Sequence, residues 1–371
     1  MNTTGTSTFS GIVGGGTALT SLTTNSGGTT AINGGSVTTT GNQSYGDNVT
    51  LGADASLTAT GTGNIAFGGS IENSGGTRNL TLSTAGTGTG NGEISVTGAV
   101  GATGALGTLT VTNSNGATFA SSVSADTVAI TDTADGKTVA FQNDLTVGTA
   151  LTVSGSATDT YNVSITGSSN SIAGTTTFNN AGTVTIGDGT GDSTTFTGGV
   201  TATAPSQVNL AGNISTINSA ISLGDGTTPV SLNQNTTLST GNGTITLGGT
   251  VNGANSLAIN TTGTTNLNGA IGANTPLTSL TTNSGGTTNI NGGSVETTGF
   301  QSYGDNVSLG ADTTLTSTGG GNISFNGTVN GAKALTVNTS GTSTFGGIVG
   351  GGTALTSLTT NSGGTTAING G

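Results

Sequence analysis

Residues 338–371 read NTSGTSTFGGIVGGGTALTSLTTNSGGTTAINGG, and residues 2–35 read the same except at two positions. A third copy of the later part, TPLTSLTTNSGGTTNINGG, occupies residues 275–293. A compact enzyme has no reason to repeat one segment, whereas each layer of a solenoid needs only its two neighbours. The duplication therefore predicts a stacked, repetitive architecture.

Between the copies, the sequence keeps one local pattern, a short alternating strand followed by a turn rich in Gly, Asn, Asp or Ser. Leu109-Thr110-Val111, Val163-Ser164-Ile165 and Thr244-Ile245-Thr246-Leu247 are examples. Each places two apolar side chains on one face and a small polar one on the other. The heptapeptide QSYGDNV also occurs twice, at residues 43–49 and 301–307.

The composition restricts the fold. The 371 residues include 71 glycines, only 5% are charged, and there is no Trp, Cys or His. Such a composition is also found in disordered chains, but a flexible linker has no need to maintain alternating Leu, Ile, Val and Phe. Apolar residues rarely recur at helical spacing. We therefore expect an ordered all-β protein with no significant helix.

Antiparallel sandwiches and parallel β-helices can both be built from such strands. Sandwich domains have longer strands and aromatic core anchors, whereas aromatic residues make up only 3% of this chain. The sequence therefore predicts a right-handed parallel β-helix of short strands with Gly and Asn turns. Coils of roughly twenty to twenty-five residues, rising ~4.8 Å each, would give about fifteen to eighteen coils. We expect residues 1–371 to form a single continuous solenoid region that is a fragment of a longer repetitive chain.

The formal net charge is −12, and Arg78, Lys137 and Lys333 are the three basic residues. Binding of nucleic acid requires clustered cations, so it is excluded. No apolar run has the length of a transmembrane helix, so no membrane insertion is expected. The absence of cysteine and the small, weakly charged residues favour an extracellular or cell-surface location.

The segment GGGNISFNGTVNGA at residues 319–332, followed by LTVNT at 335–339, resembles the repeats of filamentous haemagglutinin-like and autotransporter-passenger bacterial surface proteins. This resemblance implies a right-handed parallel β-helix, export across an outer membrane, and a role in adhesion or in a biofilm matrix.

Calcium is the one cofactor that the sequence suggests. The stretch GDGTGD at residues 187–192 places Asp188 and Asp192 in a Gly-rich turn, and carboxylate oxygens in tight turns are typical Ca²⁺ ligands. The alternative is two solvated turn residues, since turn Asp commonly accepts local backbone hydrogen bonds.

Tyr45 and Tyr303 lie in the two QSYGDNV segments. One hypothesis makes them exposed contact aromatics that stack on sugars. The alternative places them along the aliphatic column or in an aromatic ladder.

Catalysis is not expected. The acidic residues Asp132, Asp135, Asp144 and Asp159 are scattered at turns with one nearby base, Lys137, and carbohydrate cleavage requires paired carboxylates or a carboxylate–metal cluster.

The sequence thus predicts a non-enzymatic extracellular structural protein that forms a surface fibre, sheath or biofilm-matrix filament, by self-association or as part of a longer chain. An adhesin for a host or polysaccharide receptor is the alternative. A phage-type tail fibre, or an ice-binding β-solenoid using Thr38–Thr40 and Thr58–Thr60, is the second alternative.

Overall fold

The computed structural model describes residues 1–84 and 92–370. Within these residues all regular structure is β, and no helix is present. The chain divides into two compact units, Met1–Thr185 (unit 1) and Ile186–Gly371 (unit 2). In each unit parallel strands stack as turns of a β-solenoid, with about 16 turns in the chain. The prediction of an all-β parallel solenoid without helix is therefore confirmed.

The strands of unit 1 are three to nine residues long. They are Thr6–Phe9 (β1), Leu22–Thr24 (β2), Thr29–Ile32 (β3), Ser36–Thr39 (β4), Gln43–Tyr45 (β5), Asn48–Leu51 (β6), Ala55–Ala59 (β7), Ile65–Phe67 (β8), Ile71–Asn73 (β9), Leu80–Ser83 (β10), Ile94–Val96 (β11), Leu106–Thr112 (β12), Ala117–Phe119 (β13), Val123–Ile130 (β14), Thr138–Phe141 (β15), Leu145–Val153 (β16), Asn162–Ile165 (β17), Ser169–Ile172 (β18) and Thr176–Phe178 (β19), while Thr183–Ile186 (β20) contains the boundary.

The strands of unit 2 are two to ten residues long. They are Ser193–Phe196 (β21), Val200–Ala202 (β22), Gln207–Ser215 (β23), Ile221–Leu223 (β24), Val230–Ser239 (β25), Ile245–Leu247 (β26), Val251–Asn252 (β27), Ser256–Asn260 (β28), Thr264–Leu267 (β29), Ser279–Thr282 (β30), Thr287–Ile290 (β31), Ser294–Thr297 (β32), Gln301–Tyr303 (β33), Asn306–Leu309 (β34), Thr313–Ser317 (β35), Ile323–Phe325 (β36), Val329–Asn330 (β37), Ala334–Thr339 (β38), Thr342–Phe345 (β39), Ser357–Thr360 (β40) and Thr365–Ile368 (β41).

Strands from successive turns pair in parallel and form columns, and the length of a turn varies. The Asn42 side chain accepts a hydrogen bond from the Asn64 N–H, 22 residues along the chain. The Asn64 side chain does the same for the Glu93 N–H, 29 residues along. The second turn is longer than the predicted twenty to twenty-five residues.

The core is narrow and aliphatic, and alternation of inward and outward residues along most strands produces it. Leu57, Leu82 and Val111 come from three successive turns, are mutually in register, and are fully buried. Aromatic side chains stack in the same way. The rings of Tyr45 and Phe67 are 4.8 Å apart, and those of Phe119 and Phe141 are 5.0 Å apart. Such pairs add to the stabilisation provided by burial alone.

Corners require backbone conformations that glycine adopts most easily. Gly35 (φ 76°) and Gly293 (φ 73°), which are equivalent positions of two copies, both have left-handed φ. Among the described residues Asn113 (φ 47°) is the one non-glycine residue in this region of φ. The predicted role of Gly at corners is confirmed, because an L side chain with a Cβ is strained there, and Asn takes this role at Asn113 alone among the described residues.

The duplicated segments of unit 2 do not occupy the same column. The tetrapeptide SLTT at β30 belongs to the column β28–β30–β33–β36–β39–β41. The identical SLTT at β40 belongs to the column β32–β35–β38–β40. The following strand shifts likewise: TTNI at β31 pairs with β29 and β34, whereas TTAI at β41 ends the column that contains β30. The duplication therefore moves the copy to another face of the solenoid, and the interchangeable module is one strand with its corner.

Candidate functional site

The predicted calcium residues lie together at a single turn of unit 2. The Asp192 carboxylate accepts hydrogen bonds from the backbone N–H groups of Asp188 (2.8 Å) and Gly189 (2.7 Å). Burial, followed by the neighbouring Asp192 carboxylate, raises the pKa of Asp188. Asp192 thus makes the local hydrogen bonds expected of a turn residue, and the two carboxylates are close enough to interact.

Within the described residues, no group of three or more His, Cys, Asp or Glu side chains is placed to hold a metal ion. Two carboxylates and turn carbonyls remain as the oxygen donors near Asp188, fewer side chains than the usual Ca²⁺ shell contains. Calcium binding at Asp188 and Asp192 therefore stays a prediction, to be checked by calorimetric titration of the protein with CaCl₂.

Tyr45 and Tyr303 are not surface residues. Both are fully buried, so the hypothesis of exposed contact aromatics is wrong. The ring of Tyr303 stacks on Phe325 (5.2 Å), which stacks on Phe345 (5.1 Å). The side chains turn inward because an inward ring continues the aromatic stack of the next turn.

Tyr45 and Tyr303 are each paired with a buried glutamine two residues earlier. The Tyr303 hydroxyl donates to Gln301 Oε1 (3.0 Å), and Gln301 Nε2 donates to the carbonyls of Val295 (3.2 Å) and Thr316 (3.0 Å). Gln43 and Tyr45 repeat this network in unit 1. Burial raises the pKa of both tyrosines. These polar groups already have hydrogen-bond partners inside the core and are not accessible to a ligand.

A buried carboxylate that was not among the predicted site residues follows Tyr45 and Tyr303 by two residues. Asp305 is 1% exposed and accepts hydrogen bonds from the Gly286 N–H (2.7 Å) and the Thr288 hydroxyl (3.0 Å) of the previous turn. Asp47 makes the same bonds to Gly28 and Thr30. The available signal was the repeated QSYGDNV, which retains Asp in both copies.

Burial raises the pKa of the Asp305 carboxyl, so this residue should make the fold more stable in acid. The folded state favours the protonated Asp305 carboxyl. The stability that protonation of Asp305 provides is lost as the pH rises through the raised pKa. We expect Asp305→Asn to raise the unfolding midpoint by a few degrees at pH 7. Asn keeps an oxygen for the Gly286 N–H, and its amide can donate to Thr288. The advantage should disappear near pH 3 in thermal unfolding followed by circular dichroism.

Asp225 is the matched control with the opposite sign. Hydrogen bonds from Thr227 and Thr228 lower the pKa of its carboxyl. The stability that the ionised Asp225 carboxylate provides is therefore present at neutral pH and is lost as the pH falls through the lowered pKa. Asp225→Asn should therefore lower the midpoint at pH 7. Equal effects of the two substitutions would contradict the assigned role of burial at Asp305.

Of the four acidic residues considered for catalysis, three are near one another in unit 1. Burial raises the pKa of Asp132, and the charges of Asp159 and Asp135 add to this effect. Asp135 and Asp159 each accept backbone hydrogen bonds, from Thr160 and Ser156 respectively. Asp144 accepts from Ser169 and is not part of this group. The carboxylates of Asp135, Asp144 and Asp159 thus hold turns through backbone hydrogen bonds. A non-enzymatic role remains a prediction.

The outer faces present rows of small uncharged side chains. Thr38 and Thr58 are in register and lie outside, while Thr39 between Thr38 and Thr40 is fully buried. In unit 2 the Asn289 amide donates to Asn266 (2.8 Å), and Asn291 donates to Asn268 (2.8 Å). Such ladders of identical residues tie one turn to the next. Ice binding by Thr38 and Thr58 stays an untested alternative.

None of the described residues belongs to a helix long and apolar enough to span a membrane. Comparison with known proteins finds no family model that matches the chain. No curated protein and no solved structure matches it either. The fold is compatible with a β-repeat protein, and the more specific resemblance to filamentous haemagglutinin-like and autotransporter-passenger proteins remains an expectation.

Proposed function

We propose that the protein is a non-enzymatic, extracellular structural repeat protein that forms a filament, sheath or matrix fibre on a cell surface. The observation that carries this proposal is the placement of one sequence, SLTT, in two different columns of unit 2. A receptor-binding face would have to stay on one side of the solenoid. The duplication of unit 2 retains the ability to stack and changes the face, which suits a protein whose task is to be long.

The outer faces suit lateral association. Thr281, Ser302, Ser324 and Thr344 form one outward row along unit 2. This row has no charge, and its hydroxyl groups can both donate and accept hydrogen bonds. Lateral contacts through such rows would be weak individually and numerous along a fibre. We therefore propose that the partners of this chain are other copies of itself or neighbouring repeats of a longer chain.

A cell-surface location and membership of the filamentous haemagglutinin-like or autotransporter-passenger group are part of the same proposal. Their support is the repeat sequence at residues 319–339, the absence of cysteine, and the low charge. An adhesin with a defined receptor is the second candidate, because unit 1 has a polar cavity on its surface.

Electron microscopy and fibre diffraction of the purified chain test the structural role. We expect filaments without added partners and a meridional reflection at ~4.8 Å, the spacing of strands along the axis. A protein that sediments as a monomer at every concentration, and shows no filaments, would contradict the proposal.

Charge should control assembly. The net charge of −12 opposes association of like copies, and the sequence pI is about 4.1. Lowering the pH towards the pI, or adding salt to screen the carboxylates, reduces this repulsion. We expect filament growth, followed by light scattering, to be faster at pH 4.5 than at pH 8 and faster at high salt. Assembly that is fastest at low salt and pH 8 would rule out lateral contact through uncharged rows.

A further inference from the structure

We propose that a cavity on the outside of unit 1 binds a neutral sugar residue of a polysaccharide. The cavity has a volume of about 350 Å³. Its polar lining consists of Glu93, Ser95, Asn115, Thr118, Lys137 and Thr138. The volume is at the small end of the range for ligand pockets, which suits one sugar residue of a longer chain. This inference goes beyond the structural role, rests on the same cavity as the second candidate function, and does not depend on filament formation.

The cavity exists because one residue in a row lacks a side chain. Ile94, Ala117 and Val139 are paired in register on three successive turns. The preceding residues, Glu93, Gly116 and Thr138, therefore also form a row. Gly116 has φ 105°, so this position favours glycine. No side chain fills the middle of the row, and Glu93 and Thr138 lie on either side, two strand spacings or roughly 9–10 Å apart.

The backbone around the cavity is held by hydrogen bonds between turns. The Ile94 N–H donates to the Gly116 carbonyl (3.0 Å), and the Asn115 N–H donates to the Gly92 carbonyl (3.0 Å). On the far side, the Lys137 carbonyl accepts from the Asn162 N–H (2.7 Å). The site is thus built on paired strands and requires little ordering when a ligand binds.

The charged groups of the cavity have opposite signs and are both available. Glu93 and Lys137 are exposed, and no ion pair joins them to each other or to another charge in the part of the chain that the structure describes. A carboxylate accepts hydrogen bonds from hydroxyl groups, and an ammonium group and an amide donate to hydroxyl or ring oxygens. Ser95 and Thr118, which are register partners, can do both. Alternating donors and acceptors on this scale match a polyhydroxylated ligand.

The charge of unit 1 favours a neutral ligand over an anionic one. Unit 1 contains nine Asp and Glu residues against Arg78 and Lys137. A polyanion would be repelled by this excess before it met the single ammonium group of the cavity. None of the residues lining the cavity is aromatic, so no ring is available for stacking. The site should therefore bind a sugar residue weakly, through hydrogen bonds alone.

Isothermal titration of the full chain with trisaccharides tests the proposal. The probes are maltotriose, the trisaccharide of N-acetylglucosamine, and the trisaccharide of galacturonic acid. We expect at least one neutral trisaccharide to bind, and Lys137→Met and Glu93→Gln each to weaken it roughly tenfold, since each removes a charged hydrogen-bonding partner. The matched controls are Lys333→Met and Glu296→Gln, which make the same chemical changes in unit 2.

Circular dichroism and thermal unfolding of all four variants must match the unsubstituted protein; Glu93 and Lys137 are exposed, and Glu296 and Lys333 are half-buried on the outer faces. Three outcomes would overturn the proposal: no binding of either neutral trisaccharide, equal weakening by the unit 2 controls, or binding of the galacturonic acid trisaccharide alone. None of these outcomes would affect the diffraction test of the filament, so the two proposals fail separately.

Discussion

Gly292→Ala is expected to lower the free energy of unfolding of unit 2 by about 3 kcal/mol, the upper end for overpacking, because there is no room for a methyl group. A Cβ on Gly292 would lie 2.1 Å from the carbonyl oxygen of Gly269 in the previous turn. Gly269 has the same relation to Gly249. Three stacked glycines let three turns approach closely, and the atoms in the way are backbone atoms that cannot rotate aside.

Gly226→Ala is the matched control. A Cβ at Gly226 would meet no atom within 4 Å, so this substitution should be neutral within about 0.5 kcal/mol. Hydrogen exchange is a suitable measurement in addition to urea unfolding, because neighbouring turns of a solenoid can open separately. Faster exchange should be concentrated in β29 and β31. Equal stability of the two variants would show that the turns can move apart at little cost.

The buried pair of Gln301 and Tyr303 should give the second large effect. Gln301→Leu removes the acceptor of the Tyr303 hydroxyl and the donor to the carbonyls of Val295 and Thr316. A buried polar group left without a partner costs about 1–3 kcal/mol. We therefore expect Gln301→Leu to destabilise unit 2 by roughly 2–4 kcal/mol, measured by chemical unfolding.

The double variant separates the network from simple packing. Tyr303→Phe keeps the ring that stacks on Phe325 and leaves only Gln301 Oε1 without a donor, at a cost of about 1–2 kcal/mol. Combining it with Gln301→Leu should cost less than the sum, because each substitution removes a group that the other leaves unpaired. Additive losses would contradict the network. Gln43 and Tyr45 allow the same cycle in unit 1.

The strands themselves were predictable from alternation. Leu109-Thr110-Val111 and Val163-Ser164-Ile165 lie in β12 and β17 with their aliphatic side chains buried. Short apolar pairs separated by Gly and Asn favour parallel stacking for a local reason: each strand can bury two side chains only against the turns above and below it.

The burial of Tyr45 and Tyr303 was not predictable in the same way. In QSY, Gln and Tyr are two residues apart and share a face of the strand. Alternation cannot say whether that face is inside, since Gln is usually exposed and Tyr is usually intermediate. The stack with Phe67 at 4.8 Å and the satisfied Gln43 amide decide the matter. The burial of Asp47 and Asp305 has the same origin, because each comes two residues after one of these buried tyrosines, at the corner that follows its strand.

The candidate site could be predicted only in part. The Gly-rich turn with Asp188 and Asp192 is visible in the sequence and is brought together as expected. The cavity of unit 1 is not visible, because Glu93, Asn115 and Lys137 belong to three different turns whose lengths differ. Only the strand register places them around Gly116.

The sequence alone determined that this protein is built from short, stackable strands, because period-two alternation and glycine corners are local properties. The tertiary structure decided which face of each strand lies inside and which column each duplicated copy occupies. The physical reason is that a column position depends on the sum of all preceding strand and corner lengths. The 78-residue spacing between two copies of SLTT therefore moved one segment, unchanged in sequence, to another face of the solenoid.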